Sequence, residues 1–147
     1  FLSEVEMGNV QLVINRIQND LSQYTAIIFE EVCRQMIFRF SPFPVQKIGR
    51  HWDKDVEIDV VALNETEKKI LFGECKWTNQ KVDVRILNEL KRNAATVDWH
   101  FGKRKECFML FAKSGFAADV IALAKKDRSI TLVDWQNLNS LRLRHRK

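Results

Sequence analysis

Two runs, Val56-Glu57-Ile58-Asp59-Val60-Val61-Ala62-Leu63 and Ile70-Leu71-Phe72-Gly73-Glu74-Cys75-Lys76-Trp77, are apolar on both faces of a strand and are joined by the polar stretch Asn64-Glu65-Thr66-Glu67-Lys68-Lys69. Strands of that make-up belong inside a sheet covered on both sides, so the rest of the chain must supply the covering layers. Charge is costly there unless it is paired or holds an ion, yet Glu57, Asp59, Glu74 and Lys76 interrupt the two runs. A turn centred between Thr66 and Glu67 sets Leu63 opposite Ile70, Asp59 opposite Glu74 and Glu57 opposite Lys76. Directly opposed side chains have Cβ atoms about 4.5–5.5 Å apart, so the two carboxylates repel unless something cationic lies beside them. Alternation places Glu74 and Lys76 on one face and turns Cys75 to the other.

The covering layers are legible on either side of this hairpin. Val10, Val13, Ile14, Ile17 and Leu21 recur at steps of three and four, which predicts a helix over residues 4–21. Tyr24, Ile28, Val32, Met36, Ile37 and Phe40 carry the same period as a second helix, stopped by Ser41-Pro42-Phe43-Pro44. Val45 to Trp52 reads as a first strand. After the hairpin a helix runs from Val82 to Val97, with Lys81, Arg85, Lys91 and Arg92 off its apolar face. A strand from Glu106 to Ala112, a helix from Phe116 to Lys126, a strand from Ile130 to Val133 and a last helical stretch from Trp135 to Leu143 complete the order α-α-β-β-β-α-β-α-β-α. That order predicts an α/β fold, one mixed central sheet flanked by helices.

Charge is split along the chain. Residues 1–74 hold 8 Lys and Arg against 12 Asp and Glu, while residues 75–147 hold 16 against 7. A basic second half suits a polyanionic partner as well as it suits a solvated surface. No window approaches the roughly 18 apolar residues of a membrane span. Cys33, Cys75 and Cys107 fit no zinc spacing and no Cys-x-x-Cys pair, and read as buried thiols in a reducing, cytoplasmic setting. The start, Phe1-Leu2-Ser3-Glu4, has neither an initiator Met nor a signal peptide, as expected of a domain cut from a longer protein.

Two carboxylates at the end of a sheet suit a hard divalent cation, Mg²⁺ or Mn²⁺, with the Cys75 carbonyl as a further oxygen donor. Such an ion can lower the pKa of a bound water, and Lys76 beside it can stabilise charge on a phosphoryl oxygen. The competing reading is a Glu57–Lys76 cross-strand ion pair, with Asp59 and Glu74 at a solvated strand end.

Asp59, a hydrophobic turn-around and then Gly73-Glu74-Cys75-Lys76 resembles the Asp…Glu-x-Lys signature of the PD-(D/E)xK nuclease superfamily. Ala26-Ile27-Ile28-Phe29-Glu30 is similar to the Gly-x-x-Phe-Glu run on that superfamily's preceding helix, with Ala in place of Gly. The two strands together look most like the nuclease-like domain at the C-terminus of a family of archaeal P-loop ATPases. No Gly-x-x-x-x-Gly-Lys-Ser/Thr run is present, so an ATPase portion would lie outside this chain.

The resemblance implies a restriction-endonuclease-like αβββαβ core over about residues 22–112, an N-terminal helix over 4–21 and a C-terminal α/β extension over 113–147, all in one domain. It implies Asp59 and Glu74 as metal ligands, Lys76 as the residue that positions the attacking water or stabilises the transition state, and Glu30 as a further acidic contact, for which periodicity alone does not separate it from Glu31. Lys91 and Arg50 are the candidate contacts to nucleic acid, and Lys103-Arg104-Lys105 reads as a solvated loop. The implied activity is metal-dependent hydrolysis of DNA, with an ATPase domain of the same polypeptide as partner and homo-oligomerisation left open. The alternative is a nuclease-fold module that binds DNA or protein without cleaving.

Overall fold

A computed structural model describes residues 10–134. Helix α1 spans Val10–Phe40 as one continuous rod, where the sequence pattern suggested two helices. Nothing between Leu21 and Tyr24 breaks it: the linking residues are Ser22 and Gln23, and the Thr25 hydroxyl donates back to the Leu21 carbonyl at 2.7 Å. The first half of the rod leaves Ile17, Leu21 and Tyr24 exposed, and the second half packs Phe29, Cys33 and Ile37 on the sheet. Strands β1 (Lys47–Asp53), β2 (Val56–Asn64) and β3 (Lys69–Lys76) follow, then α2 (Val84–Ala94), β4 (Lys105–Ala112), α3 (Ala118–Lys126) and β5 (Ile130–Asp134). The expected stretch Trp135–Leu143, and with it part of the extension over 113–147, lies outside the described residues, as does the part of the 4–21 helix before Val10.

The sheet order is β1-β2-β3-β4-β5. Its first three strands are antiparallel and its last three parallel, so the sheet is mixed and the described elements contain the α-β-β-β-α-β order expected of the core. The helices divide between its two faces. Phe29, Cys33 and Ile37 of α1 bury Val60, Ala62, Leu71, Cys75 and Met109. Leu87 and Leu90 of α2 and Val120 of α3 bury Ile58, Ile70, Phe72 and Leu110. All three cysteines are buried and free, and no helix among the described residues is long and apolar enough to cross a membrane.

The hairpin register is the one the turn dictates, running from Asn64 opposite Lys69 to Val60 opposite Gly73. There the ladder stops. Between β1 and β2 the pairing slips, from Gly49 opposite Val61 to His51 opposite Ile58, so Arg50 faces both Asp59 and Val60. The extra residue is a bulge, which bends the strand that carries it, and β2 leaves β3 where Asp59 would have paired with Glu74. The proposed Glu57–Lys76 pair does not form. Glu57 is ion-paired with Arg50 of β1, and Lys76 stays with Glu74.

Gly73 sits at the last pair of that ladder. A Cβ there would lie 3.0 Å from the Cβ of Val60, a backbone-anchored atom, and 3.6 Å from the Met109 carbonyl oxygen. Gly73→Ala should therefore force β2 and β3 apart and cost about 1–3 kcal/mol, the usual range for overpacking. Urea unfolding would check this, and an unchanged midpoint would contradict it.

Arg104 corrects the expectation of a solvated 103–105 loop. Its side chain is 2% exposed and pairs with Glu106 at 2.9 Å. The guanidinium donates to the carbonyls of Ala94, Val97 and Trp99 and lies between the Phe72 and Phe101 rings. Thus it ties the end of α2 to the start of β4.

Candidate active site

Where β2 and β3 separate, a side chain takes over from the backbone. The Cys75 amide, which would otherwise pair with β2, donates instead to Asp59 Oδ2 at 2.9 Å. This fixes the Asp59 carboxylate, itself only 7% exposed, against the outgoing end of β3. One residue earlier, Glu74 has a side chain 19% exposed, and its Oε1 lies 3.2 Å from the Lys76 Nζ. The parallel partner β4 holds this end of β3 in place through Glu74 opposite Leu110 and Lys76 opposite Ala112.

The electrostatics follow from that crowding. Burial, and then the nearby charge of Asp59, push the Glu74 carboxyl up to about 7, against the opposing pull of Lys76. Burial alone would lower the Lys76 ammonium, but Glu74 and Asp59 more than offset it, so its pKa rises and it stays cationic. Glu30, on α1, is raised by burial and then by Asp59, with Arg50, Arg34 and Lys76 acting the other way. Glu30 therefore feels the same charges as the strand carboxylates. Its neighbour Glu31 turns to its own helix, where Arg34 at 2.7 Å and Gln35 at 3.2 Å hold its carboxyl below the usual range. Arg34 also reaches the Asp59 carbonyl at 3.4 Å.

The structure thus groups Asp59, Glu74 and Lys76, with Glu30 in their field; of the two nucleic-acid candidates, Arg50 lies at the bulge opposite Asp59, its charge acting on Glu30, and Lys91 packs on another part of the sheet. Arg50 is paired with Glu57 at the bulge. The Lys91 ammonium lies over the Phe108 ring at 5.4 Å, near Asp127. One member of the group escaped the sequence reading: Glu89 of α2 adds negative charge near both Glu74 and Lys76. Nothing in Leu87-Asn88-Glu89-Leu90 distinguishes it from a solvated-face residue.

Two neighbouring carboxylates, one of them hindered in its ionisation by the charge of the other, both offer oxygen and are chemically suited to a hard divalent cation. Asp59 and Glu74 would hold it. Among the described residues, no three His, Cys, Asp or Glu side chains are grouped to hold an ion by themselves, so the remaining ligands would be water, backbone or substrate oxygens.

A pH dependence follows. The Glu74 carboxyl is more easily protonated in the fold than in the unfolded chain, where 4.5 is the ordinary value. Its contribution to stability is then fully present below about pH 4.5 and is lost as pH rises through about 7. Glu30 acts in the same direction. Urea midpoints measured across this window should fall with pH, and Glu74→Gln should flatten the decline; an equal slope in both proteins would refute the assignment.

Comparison with known proteins adds a family. The family model DUF234, described as archaeal and bacterial proteins of unknown function, matches residues 2–87. An uncharacterized protein of Methanocaldococcus jannaschii is 39% identical over 103 residues, covering 65% of this chain and 23% of that protein. The chain thus spans about a quarter of the length of this curated relative. Among solved structures, a repair endonuclease from Pyrococcus abyssi is similar at 16% identity and a TM-score of 0.44, over 68% of this chain and 43% of that one. The EndoMS–dsDNA2 complex is similar at 13% identity and a TM-score of 0.46, over 71% and 41%.

Proposed function

The chain belongs to DUF234, and from that starting point we propose that it hydrolyses phosphodiester bonds in DNA with a divalent cation, Mg²⁺ or Mn²⁺, bound by Asp59 and Glu74. The observation that carries this reading is the break in the β2–β3 ladder, which leaves the buried Asp59, the half-buried Glu74 and a cationic Lys76 together at one sheet end. The α-β-β-β-α-β order around that end is the second support.

The cation supplies a water of lowered pKa and neutralises charge on the phosphate. The chain's own residues do the rest. Asp59 is oriented by the Cys75 amide, so its geometry is set before substrate arrives. Glu74 would hold the cation with Asp59 as a carboxylate, its ionisation favoured by the positive charge that offsets Asp59. Lys76, already held by Glu74, would present its ammonium to the phosphoryl oxygens as the water oxygen bonds to phosphorus and the bridging P–O bond breaks, the leaving oxygen taking a proton from solvent water. Glu30, which feels the charges of Asp59 and Lys76, would accept the water's proton.

In the longer proteins of the family this domain would act as the effector of an ATPase on the same polypeptide, in the cytoplasm. The resemblance of the two strands to the C-terminal domains of archaeal P-loop ATPases supports the first part. So does the roughly threefold greater length of the relative. Free, buried thiols support the second.

Among the described residues only two carboxylates, Asp59 and Glu74, meet beside Lys76, and so small a donor set favours a second reading, a module that binds DNA without cutting it. Plasmid, linear and branched DNA incubated with Mg²⁺ or Mn²⁺ separate the two. Cleavage by the parent chain and its loss in both Glu74→Ala and Lys76→Ala are the expected results. Absence of cleavage by the parent, with salt-sensitive binding retained, would overturn hydrolysis and leave the module.

A further inference from the structure

Beyond Lys76 the chain turns from β3 toward α2, and this turn walls an open groove of about 390 Å³ lined by Lys76, Thr78, Gln80, Lys81, Asp83 and Arg85. Three of these side chains are cationic and one is anionic. Lys76 belongs both to the groove and to the carboxylate group, so whatever lies along the groove is delivered to that group.

The groove is held in shape from the neighbouring β4–α3 connection. The Val82 amide donates to the Gly115 carbonyl at 3.0 Å and the Ala117 amide to the Val82 carbonyl at 2.9 Å. The Lys113 ammonium donates to Asn79 Oδ1 at 3.1 Å and covers the Trp77 ring at 5.0 Å. Arg85 is also preset. Asp83 caps α2 by accepting from the Arg85 amide at 3.0 Å, and its other oxygen takes the Arg85 Nε and Nη2 at 3.0 and 2.7 Å. This holds the guanidinium with Nη1 uncommitted to Asp83, on a side chain 87% exposed. Fixed donors bind at lower entropic cost than free ones.

We propose that this groove binds the sugar-phosphate backbone of the DNA strand beside the scissile position, with Lys81 and Arg85 as phosphate contacts. The inference deepens the hydrolysis reading above and rests on it for the identity of the polyanion. An open, cation-lined trough suits a polymer that passes through. The lining has no aromatic ring to stack a base, so the contacts position a strand without selecting sequence. Loss of such contacts weakens binding and reduces its salt dependence.

The test is anisotropy of a fluorescent DNA duplex, in chelator and over a series of salt concentrations. The double variant Lys81→Gln/Arg85→Gln should bind roughly tenfold more weakly than the parent, with the slope of log Kd against log salt shallower by about 1–2. The charge-matched control Lys125→Gln/Lys126→Gln, at the far end of α3, should bind as the parent does. Equal affinity of parent and Lys81/Arg85 variant, or an equal loss in the control, would overturn the groove. So would competition by polyglutamate as effective as that by DNA, which would make the site one for acidic polypeptide. The two readings fail separately. Groove-dependent binding without cleavage by the parent removes hydrolysis and keeps the groove, whereas cleavage with unchanged binding in the Lys81/Arg85 variant removes the groove and keeps hydrolysis.

Discussion

Arg104→Ala should lower the unfolding free energy by about 3–5 kcal/mol, because each of several carbonyls left without its donor costs about 1–3 kcal/mol. Its guanidinium is 2% exposed and satisfies the Ala94, Val97 and Trp99 carbonyls as well as Glu106. Alanine would orphan those acceptors and leave a gap between the Phe72 and Phe101 rings. Arg104→Lys should recover less than half of the loss, because one ammonium cannot reproduce a planar fork that serves several acceptors at once. Denaturant unfolding gives the number directly; a loss below about 1 kcal/mol would mean that the neighbouring segment relaxes and rehydrates.

The second large effect concerns Asp59, which accepts the Cys75 amide and, in the proposed function, also binds the cation; substitution can separate the two. Asp59→Asn keeps an oxygen to accept the Cys75 amide but removes the charge. It should fold normally, cut DNA at least about 10²–10³-fold more slowly than the parent, and lack the rise in thermal stability that Mg²⁺ should give the parent by mass action. Asp59→Ala removes the acceptor as well, and the orphaned buried amide should cost a further 1–3 kcal/mol or so. Thermal melts with and without Mg²⁺, beside cleavage rates, distinguish the variants. Cleavage by Asp59→Asn at the parent's rate would remove Asp59 from the chemistry, whatever its stability.

Much of this arrangement was legible before any coordinates, and the reasons are physical. The polar turn Asn64–Lys69 has a definite centre, so the β2–β3 register followed from it. Two-sided apolar runs announced a covered sheet, and alternation set Cys75 apart from Glu74 and Lys76. What escaped depends on contacts between distant segments. The bulge opposite Arg50 arises from the fit of β1 to β2, and neither strand carries a local signal for it; hence the opposition of Glu57 to Lys76 failed. Arg104 looks like a loop cation because Lys103 and Lys105 flank it, and only the carbonyls at the end of α2 make it a core residue. Lys91 and Glu89 lie on one helix, but helical period cannot tell which nears the carboxylates. Glu30 and Glu31 were equivalent by period, and separated only once Arg34 was seen to take Glu31.

The switch in strand direction at β3 also bears on the order in which the molecule assembles. The β2–β3 hairpin joins near neighbours such as Asn64 and Lys69, whereas β3 meets β4 by pairing Lys69 with Lys105, across the whole of α2. Local pairings close quickly, and distant ones wait on the entropy of a long loop. Val60 and Gly73 can thus come together early, while the stretch from Glu74 to Lys76, which has left the hairpin ladder, gains its ladder partner only when β4 arrives. Chemical competence would then be a late event in folding, and a nascent chain that has made the hairpin alone would not yet carry a formed site.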